Sequence, residues 1–116
     1  MPVMPNVNFD ELLESACQAS NLLRALGNEY RLIILCHLLS GEHQVAELQD
    51  KLDLSQSSLS QHLARLRHEG LVQTRRESQA IFYSLAGDKV QPVLEVLFSL
   101  YCAPEQVAKT HNQKIA

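Results

Sequence analysis

Apolar and polar residues follow a helical period along most of this chain. In "NFDELLESACQASNLLRAL", Leu12, Ala16, Ala19, Leu23 and Leu26 recur every three or four residues, and Asn8 with Glu11 has capping-box spacing. Gly27-Asn28 interrupts the pattern. "EYRLIILCHLLSG" resumes it, with Asn28 as N-cap, Gly41 as stop and Leu32, Leu35, Cys36 and Leu39 as the buried stripe. "VAELQDKL" predicts a short third helix that ends at the "DLS" turn, although Gln44 is a poor N-cap for it. In "LSQSSLSQHLARLRHEGLV", Leu59, Leu63 and Leu66 form the stripe of a fourth helix. Ser55 is its N-cap, and Gly70 is placed to end it in a left-handed conformation.

The period then changes. "LVQTRRE" and "AIFYSLA" are rich in β-branched and aromatic residues, and "SQ" joins them as a two-residue connection, which predicts a β-hairpin. A last helix is expected from about Asp88 to Cys102, with Pro92 in its first turns, where a missing N–H costs little. It is apolar on nearly every side: Val90, Val93, Leu94, Val96, Leu97, Phe98, Leu100 and Tyr101. One domain of this size cannot cover all of that surface. The expectation is a homodimer built through Val93, Leu94, Leu97, Leu100 and Tyr101, with help from the first helix. The expected order is α-α-α-α-β-β-α over residues 8–103, between flexible ends at 1–7 and 104–116.

The fourth helix also has an outer face, and its makeup is unusual. A helix facing water needs only charge, yet this one presents Gln56, Ser57, Ser58, Ser60, Gln61 and Arg65, with almost no carboxylate among them. A short helix, a tight turn, a second helix with such a face and then a basic hairpin is the order of a winged helix-turn-helix. The major groove of DNA admits one α-helix, and base edges there are read by short polar side chains and by arginine. Gln61 can pair bidentately with adenine, Arg65 can reach guanine or phosphate, and Ser57 and Ser58 open a helix whose N–H groups can meet a phosphate. Arg75 and Arg76 in the hairpin are placed to clamp the neighbouring backbone or minor groove. His62 lies nearer the apolar side and reads as a packed histidine. The bland alternative is a serine-rich solvated helix in an all-α domain.

Charge supports the DNA reading only when it is taken locally. The formal net charge of the 116 residues is −3. Residues 1–54 carry three bases against eight acids, whereas residues 55–83 carry four arginines against two glutamates. Local charge governs contact with phosphate. No paired-carboxylate pocket, Gly-rich phosphate loop or nucleophile-base order suggests an enzyme. The N-terminus lacks signal-peptide character and no run is long enough to cross a bilayer, so a cytoplasmic protein is expected.

"VAELQDKLDLSQSSLSQHLARLRHEGLV" followed by "TRRESQAIFYSL" resembles the ArsR/SmtB family of bacterial repressors over about residues 18–103. The resemblance implies a homodimeric winged-helix repressor that leaves an inverted-repeat operator when an inducer binds or reacts. The family's usual metal sites find no counterpart. Gln49 and Lys51 stand at the ligand positions of one, and Asp88 without a histidine partner stands at the other, so no metal or other cofactor is expected.

Cys36 and Cys102, within "RLIILCHLL" and "LYCAP", resemble the thiol-based redox and sulfide-sensing branch of that family. The branch implies a disulfide or polysulfide bridge between them, with reactive sulfur species or an oxidant as inducer. Read from the residues alone, Cys36 lies on an apolar stripe where cysteine behaves as an inert small hydrophobe. Cys17 has no counterpart in the branch. A repressor with no thiol switch, one sensing another ligand or metal, and a winged helix used for protein contact are the alternatives.

Overall fold

The computed structural model describes residues 8–102. The ends expected to be flexible, 1–7 and 104–116, lie outside the described residues. Five helices and a small antiparallel sheet run in the order α1 (Phe9–Leu26), α2 (Glu29–Leu38), β1 (His43–Gln44), α3 (Val45–Leu52), α4 (Gln56–His68), β2 (Val72–Glu77), β3 (Ala80–Leu85) and α5 (Val90–Tyr101). This is the expected winged helix-turn-helix with one addition, the two-residue strand β1. It pairs with β3 and makes the sheet three-stranded, in the order β1-β3-β2.

Local chemistry sets the helix boundaries. Asn8 Oδ1 accepts from the Glu11 N–H at 2.8 Å while Glu11 accepts from the Asn8 N–H, which closes the capping box of α1. Asn28 caps α2 through the Arg31 N–H at 3.1 Å. Arg31 then reaches back, donating from Nε to the Ala25 carbonyl at 2.7 Å and from a terminal nitrogen to the Arg24 carbonyl at 3.1 Å. One side chain thus satisfies carbonyls left open at the end of α1 and fixes α2 against it. At α3, Gln44 is indeed the N-cap residue, and the Glu47 carboxylate accepts from its N–H at 2.9 Å. Asp53 turns the chain between α3 and α4 at φ 53°, a left-handed conformation that Asp tolerates better than most residues. Gly70, at φ 77°, ends α4 as its position predicts.

The core lies where α2, α4 and α5 meet the sheet. Ile34, Leu35, Leu59, Leu66 and Leu94 are fully buried, and Leu48 from α3 closes one side. Leu94 therefore corrects the expectation for the dimer surface: it is at 0% exposure inside its own subunit. On α5, Val90 and Leu94 lie four residues apart and turn inward together, with Val93 packed half-buried beside them. Val96, Phe98, Leu100 and Tyr101 remain exposed, as do Phe9, Leu12, Leu13 and Leu23 of α1. The α1 stripe read from sequence is thus covered only towards its C-terminal end, where Ala25 and Leu26 are buried.

Candidate nucleic-acid interface and thiol pair

The three leucines of α4 are buried at 0–2% exposure, which pins the helix and turns its other side outward. Gln56, Ser57, Ser60, Gln61 and Arg65 are all exposed on that side. Ser55 caps the helix by accepting from the Ser58 N–H at 3.1 Å. That bond corrects the place given to Ser58. Its N–H is already engaged and its side chain is half-buried, so the N–H groups available to a phosphate are those of Gln56 and Ser57. Arg65 turns towards Glu69, with Nε 3.6 Å from the half-buried carboxylate, a long single contact without a hydrogen bond that another anion can displace. His62 is half-buried and stacks on Tyr30 with ring centroids 5.9 Å apart, the packed role expected of it. Burial, and secondarily the charge of Arg31, lowers its pKa.

The hairpin separates its two arginines. Val72, Thr74 and Arg76 pair across the strands with Leu85, Tyr83 and Ile81, so these six share one face. Val72 is buried, and Tyr83 lines a groove with Ser60, Ala64, Arg67 and His68 of α4. That face meets α4. Arg75 pairs with Phe82 and lies on the opposite face, because successive strand residues alternate. Its guanidinium sits 4.6 Å from the centre of the Phe82 ring and donates to both oxygens of Glu42, from Nε at 3.3 Å and from a terminal nitrogen more closely. The Glu42 hydrogen bond raises the pKa of Arg75 and lowers that of the carboxyl. Among the described residues, Arg76 makes no ion pair. Neither Glu42 nor Phe82 was singled out from sequence, although strand alternation was available to separate Arg75 from Arg76.

The two thiols of interest lie on neighbouring elements, one in α2 and one at the end of α5, which pack against each other. Cys36 is half-buried in α2, and Cys102 lies exposed at the residue that ends α5. Burial pushes the Cys36 thiol up from its ordinary pKa, and the nearby Cys102 pushes it further. Cys36 opens onto a groove of about 390 Å³ lined by Leu39 and Ser40 in the turn that follows α2 and by Gln91, Glu95 and Phe98 of α5. Gln91 donates to the Glu95 carboxylate there at 3.2 Å. Cys17 is exposed on α1. Among the described residues, no three His, Cys, Asp or Glu side chains are arranged to hold a metal ion, and no helix is long and apolar enough to cross a membrane.

Comparison with known proteins agrees with this geometry. The chain is 49% identical over 100 residues to the transcriptional activator HlyU of Vibrio cholerae, covering 86% of this chain and 93% of that one. It is 46% identical over 91 residues to the biofilm growth-associated repressor of Agrobacterium fabrum, covering 78% of each. The structure of reduced HlyU from Vibrio cholerae superposes with a TM-score of 0.78 at 50% identity, over 81% of this chain and 99% of that one. Residues 28–74, which run from the α2 cap to the middle of β2, match the family described as bacterial regulatory protein, arsR family. These relatives are transcriptional regulators, not enzymes. The chain belongs to the arsR family of bacterial DNA-binding regulators.

Proposed function

We propose that this regulator acts as a homodimeric repressor whose grip on an inverted-repeat operator is released when Cys36 and Cys102 become covalently linked. The observation that supports the reading is that Cys36 in α2 and Cys102 at the end of α5 sit on two helices packed against each other, near enough for one thiol to influence the other. Helix α2 packs under the recognition helix and α5 carries the uncovered apolar surface. A bond between them couples the orientation of the reading head to the geometry of the dimer. In a C2 dimer the two α4 helices stand about one DNA turn apart, roughly 34 Å, so a small rotation puts them out of step with successive grooves.

The dimer is supported by two apolar faces that no other described residue covers. Phe9, Leu12, Leu13 and Leu23 on α1, and Val96, Phe98, Leu100 and Tyr101 on α5, are 49–70% exposed in a single subunit. A monomeric soluble protein rarely leaves so much large apolar surface on two helices. Val93, packed against the core, and Leu97 are half-buried on the same helix.

The chemistry balances with an organic persulfide as the inducer. The Cys36 thiolate attacks the outer sulfur of RS–SH, RSH leaves, and Cys36 carries a persulfide. The Cys102 thiolate then displaces hydrogen sulfide from Cys36 and closes a disulfide. The sulfane sulfur is reduced to sulfide and the two thiols are oxidised. If Cys102 is also persulfidated, loss of one hydrogen sulfide leaves a trisulfide, which spans a larger gap than the Cα separation of about 4.4–6.8 Å that a disulfide needs.

The test compares Cys36→Ser, Cys102→Ser and Cys17→Ser by intact mass and operator binding, before and after organic persulfide. The first two variants bind DNA when reduced and ignore persulfide, whereas Cys17→Ser responds like the parent. Release of DNA by a double variant lacking Cys36 and Cys102 would refute the switch and leave a regulator controlled in another way.

A further inference from the structure

The two wing arginines are adjacent in sequence, and charge alone gives them the same task. Geometry gives them different ones. We infer that Arg75 is a positioning residue, braced by Glu42 and Phe82 to hold the wing at a fixed angle, and that the wing's grip on phosphate belongs to Arg76.

The argument begins with the register. Phe82 in β3 lies between Arg75 of β2 on one side and Gln44 of β1 on the other, so these three share a face. Glu42 lies two residues before Gln44, in the loop that follows α2. Arg75 therefore crosses the middle strand, stacks on Phe82 and closes on Glu42 beyond it. Its single side chain links the outermost strand of the wing to the corner from which the helix-turn-helix starts. The fork of the guanidinium is suited to this, because it can meet a carboxylate through two nitrogens and lie flat on a ring at once. Glu77 adds a second carboxylate, 3.6 Å from Arg75. An arginine held this way has few donors left for DNA, and it lies on the face turned away from α4.

Arg76 has the opposite disposition. It shares its face with Thr74 and Tyr83, the face that meets the recognition helix, and has no carboxylate partner among the described residues. A duplex lying against α4 passes this face of the wing.

Isolated surface ion pairs contribute little to stability, so the test reads the wing and the DNA. Operator affinity is measured against salt concentration for Arg76→Gln, Arg75→Gln, Arg75→Lys and Glu42→Gln. A lost phosphate contact lowers the slope of log K against log salt by about 0.9 per contact. Arg76→Gln lowers it by that amount for each wing on the operator. Arg75→Gln and Glu42→Gln weaken binding with the slope unchanged, and combining them weakens it no further. Arg75→Lys keeps the charge but cannot make the fork, so it behaves like Arg75→Gln. Amide exchange in β2 and β3 rises in the Arg75 and Glu42 variants and stays at the parent level in Arg76→Gln. A fall in slope for Arg75→Gln, rescue by Arg75→Lys, or tighter binding by Glu42→Gln would overturn the assignment and make Glu42 a competitor with phosphate for Arg75.

Discussion

Helices α4 and α5 are nearly equal in length, thirteen and twelve residues, yet they dispose of their apolar residues in opposite ways. On α4 every leucine is buried, and the outward side is made of serine, glutamine and arginine, with one alanine and one histidine among them. On α5 only Val90 and Leu94 are fully buried, and Val96, Phe98, Leu100 and Tyr101 face outward at 49–69% exposure. The difference teaches what each face lacks. A polar side with few internal partners is ready for a polar ligand, and base edges with phosphates supply one. An apolar side that no other described residue covers needs another apolar surface, which a second copy of the chain would supply in the proposed dimer.

The largest effect expected from breaking this comparison is on assembly. Leu100→Glu places a charge on the uncovered side of α5 and should yield a monomer by sedimentation velocity at micromolar concentration. Operator affinity should fall with it by a factor on the order of 100 or more, since a monomer covers one half-site and half of the phosphates. A dimer that survives this change would remove the role given to the exposed face of α5.

A second experiment separates the two kinds of leucine. Leu63→Ala on α4 should cost about 2–5 kcal/mol of unfolding free energy, because the residue is 2% exposed and leaves a cavity. Leu100→Ala should instead make thermal stability more dependent on protein concentration, since what it weakens is association. Equal behaviour of the two in a concentration series would erase the distinction.

On the polar side, Gln61→Ala should lose about 1–3 kcal/mol of preference at one base position while binding to unrelated DNA stays nearly constant. A uniform loss across all sequences would move Gln61 from base reading to phosphate contact.

The smallest expected effect concerns the inner edge of α4. Burial holds the pKa of His62 below its ordinary value of about 6.5. The folded state thus takes up this proton less readily than the unfolded chain. The stability it supports is complete above about pH 6.5 and is lost as pH falls from there towards the folded value. His62→Gln should flatten the fall in melting temperature between about pH 7 and 5. His37, whose pKa is lowered by burial and then by His43 and Lys51, should account for part of what remains.

Much of this was legible in the sequence because it rests on local chemistry. Asn8, Asn28 and Ser55 cap the helices that their spacing predicts, and Ser78-Gln79 makes the two-residue turn, with Ser78 at φ 57°. Strand β1 was not legible. Two residues carry no period, and His43 and Gln44 become a strand only because β3 passes beside them. The split of α5 was hidden for a related reason. When a helix is apolar all round, its sequence does not say which stripe its own core will take, and Leu94 went to that core. The brace on Arg75 joins residues 33 positions apart, beyond the reach of any local pattern.

The antiparallel register also constrains how the wing can change length. Val72 is anchored in the core and Gly70 fixes the end of α4, so the base of β2 cannot slide. Because faces alternate residue by residue, one residue inserted between Gln73 and Thr74 would turn each arginine to the other face. Arg75 would move opposite Ile81 and turn towards α4, Arg76 would move opposite Ala80, and Thr74 would take the place beside Phe82. Growth at the turn, beyond Glu77 and Ala80, leaves both faces as they are. The wing is therefore subject to a parity rule: variants should tolerate added residues at its tip in any number, whereas between its anchor and its arginines an odd number turns both arginines to the other face, and an even number keeps the faces but moves Arg75 off Phe82.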